Sequence, residues 1–508
     1  MTSRAGVIVP AAPPVSSARP GSGAPSWIIA LVSSGLVVSV FLGVVDQLAH
    51  WFVVPVLACG VLVGRDAVDW ARGRVDLFDP VGVIGLLGAH VFFLAPLLHV
   101  ALDVWMPYVD PPPDWRDWLG WMAVVNAAGL IVYGLTRDLG HRLASRRPPA
   151  TGWLLDPGRC GPVFALALLV AAGAQAVTYR LHGGLLGYLQ ASVAGDRSFE
   201  GMGWVFMISE RFPIVAMLAF AILARRREPL RRWRVLIPVL AGMFLGQLLF
   251  GGLRGSRSMV VWAMFWAVGV VHVWVRPLSR RMLAVAALVL LAFMYGYGLY
   301  KGGGLETLRV WERPELVWAL EQESGRTIGS TLLGDLGRGD VQAYLLFRLT
   351  EPGSDAEYAW GRTYAGGLSL LIPKAVWPAR PPTKEKEGTE ALYGRGAYEP
   401  GLLVASNVYG LAGESMLNFG PLAPLLAFAV FGIGLGIVRG RYAALPFPDL
   451  RWLLYPYVVT ACIVALIGDS DNLVFFLVSD GLVPIVVVAL CARSRRLAPG
   501  PARGGPGR

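Results

Sequence analysis

Long apolar runs recur along the chain and constrain its fold more than any other feature. A bilayer core about 30 Å thick takes roughly 20 apolar residues per helical span. Apolar residues make up 55% of the 508 positions and charged residues 16%, with a mean hydropathy of +0.55. This composition excludes a water-soluble globular protein and predicts an all-α polytopic membrane protein with about 12 transmembrane helices. The predicted spans are 27–45, 48–64, 80–102, 118–135, 160–180, 203–223, 235–253, 258–275, 282–300, 421–438, 452–467 and 473–491.

The distribution of arginine predicts how these spans are oriented. With a cytoplasmic N-terminus, the short inner loops carry 20 arginines and the short outer loops five, as the positive-inside rule requires. Residues 1–26 and 492–508 are then cytoplasmic tails, and the composition of the first predicts disorder. Residues 27–300 form nine spans, 301–402 form a large extracytoplasmic loop, and 403–491 form a re-entrant segment followed by three spans. This asymmetry explains the net charge of +11 without invoking nucleic acid.

The loop 301–402 is the most obvious functional module. A loop of this length in a compact protein is normally functional or disordered, and its many aromatic residues argue against disorder. Helical patterns are predicted at 314–322 and 339–349. A third segment, 364–377, is amphipathic and is expected to lie at the membrane surface.

The first candidate motif is the sequence Gly-Gly-Leu-Arg-Gly-Ser-Arg-Ser at 251–258. It places Arg254 and Arg257 between two predicted spans, at their outer ends. Arginines in such positions often only snorkel to the lipid headgroups. A guanidinium also presents a planar fork of donors that matches phosphate oxygens. The motif therefore predicts either helix anchoring or phosphate capture.

A second motif covers residues 361–382 and contains Arg362, Tyr364, Lys374 and Arg380. Three cations near the lipid surface are explained in part by attraction to anionic headgroups. The prolines and aromatic residues among them favour a rigid surface over a flexible basic tail. We therefore expect these four residues to contribute to substrate binding.

The third motif, 405–420, precedes an apolar span and contains Glu414 and Asn418. A carboxylate at membrane depth must face protein or a water-filled interior, which makes Glu414 a functional candidate. Two structural alternatives remain open. The small residues of this segment could serve helix packing, and Glu414 could form an ion pair with one of the arginines.

The remaining polar features give weaker signals. Glu210 and Arg211 are adjacent on a helix, point in different directions and are expected to pair elsewhere. Asp469 and Asp471 are interpreted as solvated carboxylates in an outer turn. The chain has no Walker loop, no Gly-x-Ser-x-Gly elbow and no histidine or cysteine spacing typical of a metal site. The sequence therefore predicts neither a cofactor nor a metal.

Taken together, the three motifs resemble those of bacterial oligosaccharide repeat-unit polymerases, the Wzy-type enzymes of O-antigen and exopolysaccharide assembly. The resemblance covers residues 250–420 and depends on the order of the motifs around a large external loop. It implies a GT-C-like, metal-independent glycosyltransferase in the bacterial cytoplasmic membrane, acting at its outer face. The substrates would be glycans linked to undecaprenyl pyrophosphate, and a flippase and a chain-length regulator are possible partners.

The resemblance also suggests roles for individual residues. Arg254 and Arg257 would hold one pyrophosphate, and Arg362 would hold the other together with Lys374 or Arg380. Glu414 would take the proton from the acceptor hydroxyl. In the same hypothesis, sugar or phosphate oxygens are oriented by Tyr364 and Asn418.

The sequence is also compatible with three other functions. A lipid-linked glycan ligase would use the same donor with a different acceptor. A transporter or flippase would be expected to show related halves with broken helices and residues that bind substrate at the membrane midplane. A noncatalytic assembly scaffold would need none of the chemistry above.

Overall fold

The chain folds as a bundle of apolar helices, as the hydropathy pattern predicts. The computed structural model describes residues 24–497 except for 108, 147–148, 195–200, 255–256, 304–306, 308–312, 314, 325–326, 328, 330, 373–375 and 400–406. Within the described ranges, ten helices are long and apolar enough to cross a membrane, and a bent helix pair at 470–490 gives an eleventh candidate. The protein is therefore an all-α, multi-pass membrane protein in its main architecture.

The helices follow the predicted spans closely. The ten candidate spans are Ser26–Val44, Pro80–Ala101, Trp115–Arg146, Pro157–Leu181, Gly203–Arg226, Trp233–Gly252, Arg257–Val275, Arg280–Tyr300, Ala423–Ala443 and Leu450–Ile467, and the bent pair is Ser470–Asp480 with Leu482–Leu490. The other helices are Val53–Ala71, Leu185–Ala194, Leu316–Ser324, Gly339–Thr350, Arg362–Ser369, Lys384–Tyr393 and Gly410–Phe419.

The predicted span 48–64 differs most from the structure. Its helix begins only at Val53, after a short 3-10 turn at Asp46–Leu48, and continues to Ala71. This longer helix includes Arg65, Asp66 and Asp69, so it is too charged to count as a membrane span on composition alone. Asp66 is nevertheless buried, and its ion pair with Arg137 at 2.5 Å compensates the burial of its charge. The total of ten or eleven candidates is accordingly lower than the predicted 12.

Two further corrections concern short segments. The predicted helix 364–377 spans only Arg362–Ser369, since the sequence soon reaches Pro373 and the residue before a proline disfavours helical geometry. The strand Thr151–Leu155 pairs antiparallel with Ala492–Arg496, where the sequence suggested only an inner loop and a tail. This pairing is stabilised by Asp449, whose carboxylate accepts the Trp153 N–H at 2.9 Å.

Glycines bring two of the spans unusually close together. Gly432, Gly436 and Gly440 lie one turn apart on Ala423–Ala443 and face Trp115–Arg146. A Cβ atom at Gly436 would lie 2.1 Å from the carbonyl oxygen of Arg137, whereas a Cβ atom at Gly434 would meet open space. Small residues at four-residue spacing allow such close helix packing in membranes.

This packing predicts opposite effects for two neighbouring substitutions. Gly436→Ala should destabilise the protein by about 1–3 kcal/mol or more, because the added methyl overpacks a contact with rigid backbone. Gly434→Ala should be neutral or slightly stabilising, since alanine favours helix formation over glycine. Thermal unfolding of the purified proteins, followed by tryptophan fluorescence, measures both. Equal melting temperatures for the two variants would refute this interpretation of the interface.

Candidate functional site

The candidate residues surround the helix Gly410–Phe419, which we call the glutamate helix. Eight of its ten residues are buried, including Glu414 and Asn418. Glycines mark both of its ends, where Gly410 has a φ of +69° and Gly420 a φ of +87°. The helix packs against Gly339–Thr350 and Ala423–Ala443. It therefore presents its carboxylate from the protein interior rather than from lipid.

Glu414 is held by hydroxyl and amide donors. One carboxylate oxygen accepts hydrogen bonds from Thr363 Oγ1 at 2.8 Å and Ser470 Oγ at 2.6 Å, and the other accepts the Ser470 backbone N–H at 2.6 Å. Burial raises the pKa of Glu414, while these hydrogen bonds favour its charged form and lower the pKa in part. Among the described residues no arginine pairs with Glu414, so the predicted ion-pair alternative is not what the structure shows.

The role predicted for Asn418 needs correction. Asn418 is completely buried, and its amide group donates to Thr363 Oγ1 at 2.7 Å and to the Glu414 carbonyl at 2.8 Å. Its side-chain oxygen accepts the Gly361 N–H at 2.8 Å. Asn418 lies one turn after Glu414 on the same face of the helix. Its amide therefore holds Thr363, Gly361 and the Glu414 backbone in position. Asn418 is thus a positioning residue and not a substrate ligand.

The sequence predicts a solvated turn carboxylate at Asp469, and this prediction is wrong. Asp469 is 1% exposed, accepts the backbone N–H groups of Tyr409 and Gly410 at 3.0 and 2.8 Å, and forms an ion pair with Lys384. Lys384 is also buried, and burial lowers its pKa to about 8. The pair ties the helix Lys384–Tyr393 to the start of the glutamate helix. A carboxylate immediately after an apolar span was the available sequence signal.

A second cluster of buried charges lies where helices break. Glu210 and Arg211 separate Gly203–Ser209 from Phe212–Arg226. Glu210 pairs with Arg254 and with Arg211, and Arg211 also pairs with Asp480 in the bent pair. The expected pairing of Glu210 and Arg211 with other residues is confirmed, but the two residues also pair with each other, which the sequence analysis did not predict. Asp480 was missed, since its sequence context resembles an ordinary apolar span.

Five of the candidate residues line three cavities. Arg254 and Arg380 line one of about 540 Å³, the arginine cavity, together with Trp204 and Phe475. Glu414 and Tyr364 line one of about 690 Å³, the glutamate cavity. Arg362 lines one of about 530 Å³, the loop cavity.

The structure thus changes the predicted grouping of the cations. Arg254 shares a cavity with Arg380, whereas Arg362 lies in the loop cavity and pairs with both carboxylate oxygens of Glu387 at 2.7 and 3.0 Å. Arg257 begins its own helix and lies near Tyr297. Lys374 lies outside the described residues. Arg362 and Arg380 therefore do not form the predicted common phosphate site.

Both the arginine cavity and the glutamate cavity are bordered by apolar residues on the outer surface of the bundle. Trp204 and Phe475, beside the arginines, are each more than half exposed, and so are Leu422, Leu426 and Val430 beside Glu414. The helices Arg362–Ser369 and Ser470–Phe475 pack against each other beside these cavities; the first contributes Tyr364 to the glutamate cavity, and the second contributes residues to both cavities. They pack so closely that a Cβ atom at Gly367 would lie 2.8 Å from Ser470 Oγ.

No known protein family, curated protein or solved structure matches this chain. The arginine cavity offers cations beside apolar walls, which suits an anionic headgroup with a long hydrocarbon tail. The glutamate cavity offers a proton acceptor in a similar setting. Within the described ranges, no cluster of three or more His, Cys, Asp or Glu side chains is arranged to hold a metal ion.

The kink that positions Arg254 depends on Gly251. Its φ of +119° is a conformation that side chains other than glycine rarely adopt, and a Cβ atom there would lie 2.5 Å from a carboxylate oxygen of Glu210. Gly251→Ala should therefore destabilise the protein by about 1–3 kcal/mol and displace Arg254 from Glu210. Thermal unfolding measures the first effect. Gly242→Ala is the matched control, because a Cβ atom there meets nothing within 4 Å.

Proposed function

We propose that this protein is a Wzy-type polymerase of oligosaccharide repeat units, GT-C-like in fold. It would act at the outer face of the bacterial cytoplasmic membrane, with both termini in the cytoplasm. The observation that carries the proposal is the pair of cavities that share one helix, Ser470–Phe475, in their linings. One contains arginines, the other contains a carboxylate, and both are bordered by exposed apolar residues. A reaction between two lipid-linked substrates needs such a pair.

The arginine cavity would hold the donor, a glycan on undecaprenyl pyrophosphate. When the bond between the sugar and the pyrophosphate breaks, negative charge builds up on the departing diphosphate. Arg254 and Arg380 would stabilise that charge with donors that are already in place. Glu210 keeps Arg254 in position through their ion pair. The polyprenyl chain would leave the cavity past Trp204 and Phe475.

The glutamate cavity would hold the acceptor, a single lipid-linked repeat unit. Glu414 would accept the proton of the acceptor hydroxyl as its oxygen bonds to the anomeric carbon of the donor sugar. The products are the lengthened glycan on the acceptor lipid, free undecaprenyl pyrophosphate and a protonated carboxyl group. Glu414 lies at the polar end of this cavity, and Leu422 and Leu426 continue it along the exposed face of a span.

Analysis of lipid-linked saccharides in a deletion strain tests the proposal. Loss of a polymerase should cause single repeat units to accumulate, with one unit still transferred to the final acceptor. Loss of a lipid-linked glycan ligase should leave no unit on that acceptor. Polymer of normal length on the final acceptor in the deletion strain would refute both functions. Activity of the purified protein with lipid-linked units would exclude a noncatalytic scaffold.

A second candidate function is transport of a lipid or polysaccharide. The observation that favours it is the buried charge cluster of Glu210, Arg211 and Asp480 at helix breaks, since transporters commonly bind substrates where helices are interrupted. Vesicles containing the purified protein distinguish the two functions. A transporter would move a labelled lipid-linked unit across the bilayer without lengthening it, whereas a polymerase would lengthen units supplied on one side.

A further inference from the structure

A fourth cavity lies at the predicted cytoplasmic end of the bundle, and none of the residues proposed above to act on the substrates lines it. Its volume is about 350 Å³, and it lies between Ser26–Val44, Val53–Ala71 and Trp115–Arg146. Its polar lining consists mainly of two arginines and two aspartates, namely Arg65, Asp66, Arg137 and Asp138. The rest is largely apolar and includes Leu130, Ile131 and Phe428. The cavity is thus amphipathic, with its charges at the end nearest the predicted cytoplasmic surface.

Arg137 is the central charge of this cavity. It is 8% exposed and pairs with Asp66 at 2.5 Å. Its guanidinium carbon Cζ lies over the Tyr133 ring, 5.1 Å from the ring centre. Its Nε–H group is buried and has no hydrogen-bond acceptor among the described residues, the Asp138 carboxylate being 4.0 Å away. A buried donor without an acceptor is costly. The site therefore offers a donor to an oxygen atom that the protein does not supply.

Two further charges in the cavity face outward. Arg65 is exposed, and the side chain of Asp138 is 68% exposed. Together with the Arg137–Asp66 pair they give the cavity no net charge. A purely anionic ligand would place a second negative charge beside the Asp138 carboxylate. A ligand with one negative and one positive group would complement Arg65 and Asp138 at the same time.

We propose that this cavity binds a phospholipid of the cytoplasmic leaflet whose headgroup carries a phosphate and a primary ammonium, as in phosphatidylethanolamine. The phosphate accepts from Arg65 and from the Nε–H of Arg137, and the ammonium donates to Asp138. One acyl chain lies along Leu130 and Ile131. Trp27 borders the cavity at the predicted interface, the depth that tryptophan prefers in membrane proteins.

Three lipids with identical acyl chains test the proposal. Phosphatidylcholine keeps the phosphate but its methylated ammonium has no N–H donor, and phosphatidylglycerol keeps the phosphate but has no cation. Native mass spectrometry of the full-length protein in each lipid should show one retained phosphatidylethanolamine and less of the others. Bound lipid stabilises the folded state, so the melting temperature should be several degrees higher in phosphatidylethanolamine. Equal or better retention of phosphatidylglycerol, or no preference, would overturn the proposal.

Exposed residues provide variants that should still fold. Arg65→Gln and Asp138→Asn should each remove the phosphatidylethanolamine preference in retention and in melting temperature. Arg142→Gln is the control. Arg142 is an exposed arginine on the helix that carries Asp138, but its side chain does not line the cavity. If Arg142→Gln removed the preference as fully as Arg65→Gln, general attraction to lipid would explain the result and the site would be refuted. None of these outcomes depends on the polymerase proposal.

Discussion

The double variant Arg254→Ala/Arg380→Ala is expected to lose about 10² to 10⁴ in the rate of polymer formation. Each charge-assisted hydrogen bond to the departing diphosphate contributes about 1.5–3 kcal/mol, and about 1.36 kcal/mol corresponds to a tenfold change in rate. The two arginines lie in one cavity, so both losses act on the same charge. Purified protein in vesicles, supplied with lipid-linked repeat units, gives the rate from the lengths of the products.

Folding must be separated from chemistry in this experiment. Arg254 pairs with buried Glu210. Among the described residues, Arg380 makes only a 3.3 Å hydrogen bond to the Ile372 carbonyl, so Arg380→Ala alone removes no buried ion pair that the structure describes. Arg116→Ala is the matched control, since Arg116 likewise donates to one backbone carbonyl, that of Gln47, but does not line the arginine cavity. Long-chain product from the double variant at the normal rate would remove these arginines from the mechanism.

Glu414→Gln is expected to reduce the rate by about 10² to 10⁴, the usual contribution of a general base. The amide cannot accept the proton of the acceptor hydroxyl. The loss should appear in kcat, with little change in KM for the acceptor, because the apolar cavity remains. Undiminished turnover by the Gln variant would eliminate the proposed base.

The pH profile gives a more specific test of Glu414. Only its deprotonated form can accept a proton, and burial raises its pKa. Activity should therefore fall as the pH drops through this raised pKa, at a higher pH than for an ordinary glutamate. Ser470→Ala removes a hydrogen bond that favours the charged form and should move this acid limb to still higher pH.

A neighbouring serine supplies the control for this shift. Ser415 lies next to Glu414, but its hydroxyl donates to the Ala412 carbonyl. Ser415→Ala should leave the acid limb in place. An unchanged profile in the Ser470 variant, or an equal shift in both variants, would show that the limb does not report the ionisation of Glu414.

Hydropathy alone predicted most of the helices, because a bilayer leaves few alternatives to a helix for an apolar run. The exceptions have physical causes. Arg65 and Asp66 carry a helix past its predicted end at residue 64, since the ion pair with Arg137 makes the buried charge tolerable. The strand at 151–155 has no partner nearby in the sequence, so no local pattern indicated it.

The site was predicted less well, because short motifs give residue types but not partners. The sequence singled out Glu414 as unusual at membrane depth and Arg254 as a cation at the outer membrane surface, and both line cavities. It gave Asn418 a substrate role, which its hydrogen bonds to Thr363 and Gly361 exclude. It also treated Asp469 as solvated, since nothing near it in the chain indicated that Lys384 would reach it.

The small sheet also bears on how the chain is assembled in the membrane. Thr151 pairs with Arg496, so the two strands are separated by most of the spans. During synthesis, the backbone N–H and C=O groups of the first strand therefore have no strand partner until nearly every later helix has been inserted. Closure of the sheet would then report that all intervening helices have entered the bilayer with the right parity, because a single missed insertion would leave the second strand on the wrong side.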